Sequence, residues 1–96
     1  MHESARRVLA LVAAAPEARV SLTDLRIGAA ALRPRVSDVA LFDALDRALE
    51  LRILDERDGV YAFRHPLIRS ALYEDLSKHR RDELHAALTR SRAGHP

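Results

Sequence analysis

The sequence predicts a mainly α-helical fold with five helices and a single β-hairpin. Apolar residues recur at three- and four-residue spacing through most of the 96 residues, which is the period of an amphipathic helix. Two short runs with β-strand character flank Asp58-Gly59, a dipeptide typical of two-residue hairpin turns. Prolines and capping residues separate the helical segments, so each helix has a defined start or end.

The first half of the chain contains three predicted helices. The first runs from about residue 4 to residue 15 and stops at Pro16, after which residues 18–20 form a short extended connector. Ser21 precedes the second helix in a capping-box pattern. Ser37 is a good N-cap for the third helix, which therefore starts shortly after the turn at Pro34.

The second half contains the hairpin and two more helices. Residues 53–57 and 60–64 are the predicted strands. Pro66 fits the first position of the fourth helix, where its missing N–H costs nothing. Ser77 ends that helix and caps the fifth. Four leucines lie at the centres of the apolar stripes and are predicted to be buried: Leu45, Leu49, Leu72 and Leu84.

This order of elements favours a winged helix, in which three helices are followed by a β-hairpin wing, with two further helices after it. We expect one domain over residues 1–96, with the winged helix at about 4–76 and a C-terminal helix at about 77–92. A chain of this size buries only a modest core.

Composition narrows the functional classes. There is no cysteine, which excludes disulfides and cysteine-based metal sites. No apolar run approaches the length of a membrane span and no secretory signal opens the chain, so we expect a cytoplasmic protein without membrane contact. The net charge of +2 is too small to indicate nucleic-acid binding by itself.

Neither a metal site nor a catalytic site is predicted. His79 and His85 are six residues apart, rather than the three or four that place two ligands on one helix face. Ser70 on the fourth helix has no nearby base, and the chain contains no Gly-x-Ser-x-Gly elbow. We therefore expect a protein that is not an enzyme.

A candidate anion site lies where the hairpin meets the fourth helix. His65 falls at the N-cap, before Pro66, where unpaired N–H groups and the helix dipole favour a negative charge. Arg64 precedes it and Arg69 follows one turn later, and both add positive charge. A phosphate is the natural guest of such a site. The alternative interpretation is that His65 only caps the helix.

The segment 63–73, Phe-Arg-His-Pro-Leu-Ile-Arg-Ser-Ala-Leu-Tyr, resembles the winged-helix region of large ATP-binding LuxR-type bacterial regulators, which belong to the STAND class of signalling ATPases. Residues 48–54 and 76–85 are also similar to that family, which has an arginine pair and a leucine-histidine in the helix after the winged helix. The resemblance covers roughly residues 4–92.

This resemblance implies a signalling role in transcription regulation. In the STAND class a histidine of the winged-helix domain reaches the phosphates of ADP and helps to hold the resting state, and by position that residue is His65. Arg64 and Arg69 are further candidates for the same contact. The chain has no phosphate-binding G-x-x-x-x-G-K-[ST] loop. The resemblance therefore implies one domain of a larger regulator, whose neighbouring ATPase domain is its partner and binds ADP or ATP.

Direct DNA binding is the competing hypothesis, with the third helix in the major groove. Between residues 37 and 51, however, this helix carries four carboxylates against a single Arg47. DNA phosphates repel such a helix, whereas binding depends on neutralising them. The arginines that could still contact the DNA backbone are Arg33, Arg35 and Arg57.

Overall fold

The computed structural model describes residues 3–93, with side chains described through residue 90. This part of the chain forms five α-helices and a small three-stranded antiparallel sheet. In chain order the elements are α1 (Glu3–Ala14), β1 (Arg19–Ser21), α2 (Leu22–Ala31), α3 (Asp38–Glu50), β2 (Leu54–Arg57), β3 (Val60–Phe63), α4 (Pro66–Glu74) and α5 (Lys78–Ala93). A 3-10 turn, Pro16–Ala18, joins α1 to β1.

The predicted caps and the hairpin turn are confirmed. The hydroxyls of Ser21, Ser37 and Ser77 each accept a hydrogen bond from the backbone N–H three residues later, at 3.1, 3.2 and 3.2 Å. Asp58 and Gly59 both have positive φ, 52° and 78°, as the primed turn of a two-residue hairpin requires. Local capping and turn chemistry therefore set the element boundaries to within a residue or two.

The predicted connector after α1 is extended from Arg19 onward, but residues 19–21 also form a strand of the sheet, which the sequence did not indicate. Strand β1 pairs antiparallel with β3, placing Val20 opposite Tyr61, and the strand order is β1-β3-β2. A three-residue strand is too short to show an alternating pattern, and its partner lies about forty residues further along the chain. The pairing ties the start of α2 to the hairpin.

Helix α1 passes through the centre of the core. Every residue from Val8 to Ala15 is buried. Gly28 on α2 lies against it, and a Cβ at that position would approach Leu11 Cδ2 to 3.2 Å, so the glycine permits close packing of the two helices. Helix α5 packs against α2 and closes the core with Leu84, Ala87 and Leu88.

Two of the four predicted core leucines are less buried than expected. Leu45 and Leu84 are 1% and 4% exposed, which confirms their prediction. Leu49 and Leu72 are only partly buried at the edge of the core. Helix α4 has no fully buried residue, and Leu67 is 83% exposed, because this helix packs against α1 and β3 at the rim of the molecule. Periodicity located its apolar face but not the depth of its burial.

Candidate anion site at the start of helix α4

His65 occupies the N-cap of α4, as predicted, with Pro66 at the first helical position. Its backbone is extended, and its carbonyl accepts hydrogen bonds from the N–H groups of Ile68 and Arg69 at 3.0 and 3.3 Å. The imidazole makes no capping hydrogen bond and is exposed. His65 is therefore the N-cap residue through its backbone, while its imidazole takes no part in the cap and is exposed to solvent.

Arg64 lies beside His65 in sequence but turns back toward the hairpin. Its guanidinium forms an ion pair with Asp55 at 3.1 Å between Nη1 and Oδ1, with 36% of the arginine side chain and 53% of the aspartate side chain exposed. An exposed pair of this kind contributes about 0–1 kcal/mol. The positive charge of Arg64 is thus partly compensated, although so weak a pair opens at little cost.

Arg69 is directed toward the carboxyl end of α1. Its Nε donates a hydrogen bond to the carbonyl of Ala13 at 2.9 Å, and its guanidinium lies 4.6 Å from the centre of the Tyr73 ring. In residues 3–90, no hydrogen bond or ion pair joins the side chains of His65, Arg64 and Arg69 to one another. The three sequence candidates therefore have three different surroundings.

A second group of side chains surrounds Tyr73 and was not recognised in the sequence. Arg81 from α5 lies 4.5 Å from the centre of this ring, and its Nε donates to the backbone carbonyl of Tyr73 at 3.1 Å. The Tyr73 hydroxyl is 3.4 Å from His85 Nε2. We call Arg69, Tyr73, Arg81 and His85 the Tyr73 cluster. Its sequence signal is a pair of four-residue spacings, 69/73 on α4 and 81/85 on α5.

The basic start of α5 therefore divides into two kinds of residue. Lys78 and Arg80 are exposed and pair with carboxylates on their own helix, at 2.9 Å to Asp82 and 3.4 Å to Glu83. These residues form a solvated helix start. Arg81 differs, because it is half-buried and bonded to α4.

The exposed face of α3 is acidic, as the sequence indicated. Asp38 is paired with Arg26 at 3.0 Å, whereas Asp43 and Asp46 are exposed without an ion pair in the described residues. The pKa of the Tyr61 hydroxyl on β3 is raised by burial, and further by the negative charges of Glu56 and Asp46. The negative potential thus extends from α3 to the hairpin.

Two concave regions of the described residues lie away from His65. One, of about 460 Å³, is between α2 and the start of α3 and includes Arg26, Arg35 and Asp38. The other is a groove of about 1080 Å³ between α1 and α3, whose lining includes Leu9, Ala44 and Arg47. Residues 3–90 contain no cluster of three or more histidine, aspartate or glutamate side chains that could hold a metal ion. No helix in the described range is long and apolar enough to cross a membrane.

Comparison with known proteins gives no relative: no protein-family model, curated protein or solved structure matches this chain. The resemblance to the LuxR-type regulators consequently depends on the motif residues alone.

Proposed function

We propose that this chain is a winged-helix module of a multidomain ATP-dependent signalling regulator, and that it packs on the ATPase core and senses its nucleotide state. The order α1-β1-α2-α3-β2-β3 supports the winged-helix assignment, because the hairpin follows the third helix and returns beside β1. The two later helices extend the same core, since α5 packs on both α1 and α2.

The observation that carries the nucleotide role is the exposed, unpartnered imidazole of His65 at the start of α4. An imidazole N–H there can donate to a phosphate oxygen, and the positive end of the helix dipole strengthens that contact. The imidazole of His65 and the first N–H groups of α4 fit one edge of a phosphate. In this proposal the pocket for the base and the ligands of magnesium belong to the ATPase core. A contact made only in the ADP state biases a two-state switch toward rest.

His65→Ala in the full-length regulator tests this role. A hydrogen bond to a charged group contributes roughly 1.5–3 kcal/mol, so we expect ADP to bind about tenfold to a hundredfold more weakly and basal activity to rise. The measurements are ADP dissociation and transcription from a target promoter. His79→Ala is the matched control, because His79 is an exposed histidine on α5 without a hydrogen bond in the described structure. Unchanged ADP release and basal activity in His65→Ala would reject the sensor role.

A stand-alone DNA-binding regulator is the second candidate. The exposed Arg33 and Arg35 in the loop before α3 favour it, since they flank the helix that would enter the major groove. Because the solvent face of α3 is acidic, we expect no sub-micromolar duplex binding at physiological salt. Anisotropy with duplex DNA measures this. Tight, salt-sensitive binding that is lost in an Arg33→Gln, Arg35→Gln double variant would replace the first proposal with this one.

A further inference from the structure

We propose that the Tyr73 cluster is a second anion-binding site on this chain and that it takes a phosphoryl group. The cluster brings together side chains from two helices and is separate from the His65 imidazole. This phosphate site is independent of the nucleotide contact assigned to His65. Phosphate binding by the His65→Ala variant distinguishes the two sites.

The Tyr73 cluster holds two positive charges without a carboxylate partner in the described residues. The guanidinium groups of Arg69 and Arg81 lie against one tyrosine ring, at 4.6 and 4.5 Å from its centre. Within residues 3–90, neither guanidinium has a carboxylate within 4.0 Å. The tyrosine ring compensates only part of the cost of holding two cations in half-buried positions. An anion beside the cluster would compensate their charge further.

The nearest acidic residues of α5 are already engaged. Asp82 accepts from Lys78 at 2.9 Å, and the pKa of its carboxyl is lowered mainly by that hydrogen bond. Glu83 is paired with Arg80. The charge of the Tyr73 cluster is therefore not compensated by these two carboxylates of α5, and an anion from outside the chain can serve as its counter-ion.

Both arginines of the Tyr73 cluster keep hydrogen-bond donors free. Arg69 and Arg81 each use Nε on a backbone carbonyl, Ala13 on α1 and Tyr73 on α4. These bonds fix the planes of the guanidinium groups and leave both terminal NH₂ groups of each arginine without a partner in the described residues. A guanidinium edge with free donors is the preferred partner of phosphate and carboxylate oxygens.

The number of donors favours phosphate over carboxylate. Two guanidinium groups offer more N–H donors than the two oxygens of one carboxylate accept well, whereas a phosphate presents three or four oxygens. The hydroxyl of Tyr73 and the imidazole of His85, 3.4 Å apart, add further polar groups at the same ring. A doubly charged phosphate also balances the two arginines.

The chain provides its own spectroscopic probe for this site. It contains no tryptophan and only two tyrosines, so in a Tyr61→Phe background Tyr73 is the only strong emitter. The probe ligand is inorganic phosphate, titrated against chloride at constant ionic strength, with Tyr73 fluorescence and the melting temperature as readouts. We expect a saturable fluorescence change and a phosphate-dependent rise in melting temperature.

Arg81→Gln should weaken phosphate binding by about tenfold or more, since it removes one charged set of donors. The matched control is Arg80→Gln, which removes the same charge from the adjacent position of α5, and it should bind phosphate as the wild type does. Circular dichroism checks that each variant is folded. If Arg81→Gln does not fold, Arg81→Lys keeps the charge without the planar set of donors and should also lose binding.

Three results would overturn the proposal. The first is a response to phosphate no larger than that to chloride, and the second is a loss of phosphate binding in Arg80→Gln equal to that in Arg81→Gln. The third is loss of phosphate binding in His65→Ala, which would place the anion at the start of α4. Retention in His65→Ala supports the Tyr73 cluster, whatever the outcome for ADP release in the full-length protein. A parallel titration with ADP identifies where the bound phosphoryl group comes from. If the variants bind ADP as tightly as phosphate, the ligand is a nucleotide phosphate. If they bind ADP more weakly, the ligand is free phosphate.

Discussion

Truncation of Leu45 should destabilise the domain more than truncation of Leu72, although both lie on the apolar stripes of their helices. Leu45 is 1% exposed on α3, whereas Leu72 on α4 is only partly buried. Leu45→Ala removes three carbon groups from the core, a transfer loss of about 2.5 kcal/mol at roughly 0.8 kcal/mol per group. The cavity left behind raises the cost toward the 2–5 kcal/mol range of buried leucines.

These magnitudes are large for a chain of 96 residues, whose total stability is about 5–15 kcal/mol. Each kcal/mol shifts the melting temperature by about 4–8 °C in a domain of this size, so Leu45→Ala should melt at least about 10 °C below the wild type. We expect Leu72→Ala to lose about 2 kcal/mol, because most of the transfer loss remains but its partly open site leaves a smaller cavity.

The assay is thermal and urea unfolding followed by far-ultraviolet circular dichroism, with both variants measured in the same buffer. Unchanged urea m-values are needed to attribute the difference to the native state. If Leu72→Ala melts as low as Leu45→Ala, the depth of burial is not what determines the cost. In that case our placement of α4 at the rim is refuted.

Three further predictions concern local features. Gly28→Ala should lower the free energy of unfolding by about 1 kcal/mol, because the added Cβ meets the fully buried Leu11 side chain at 3.2 Å. This crowding exceeds the gain in helix propensity. A stabilised variant would show that Leu11 can move. Ser37→Ala should cost about 1 kcal/mol through loss of the α3 cap, and equal stability by urea unfolding would contradict that role. The pKa of the Tyr61 hydroxyl is raised in the folded state. The stability that Tyr61 contributes is therefore complete below the ordinary tyrosine pKa and is lost as the pH rises through the folded value. Tyr61→Phe should flatten the fall in stability at alkaline pH, and a pH profile identical to that of the wild type would contradict this expectation.

The site was only partly predictable from the sequence. The position of His65 depends on a local rule, proline at the first helical position, and the chain follows it. The availability of its imidazole depends on whether a neighbouring group binds it, and no local pattern reports that. The Tyr73 cluster depends on the direction in which α5 continues from the end of α4, because Arg81 must reach a ring eight residues earlier in the chain. Only the folded chain places these groups together.

The sequence by itself determined the five helices and the β-hairpin of this protein. Helical periodicity, the three serine caps and the Asp58-Gly59 turn act within a few residues, and their free energies do not depend on the rest of the fold. Tertiary structure alone decided that β1 is a strand, that α4 lies at the rim and that Arg69 and Arg81 meet on one ring. Each of these depends on contacts between residues distant in sequence, which form only once the chain has packed and the entropy of closing the intervening loops has been overcome.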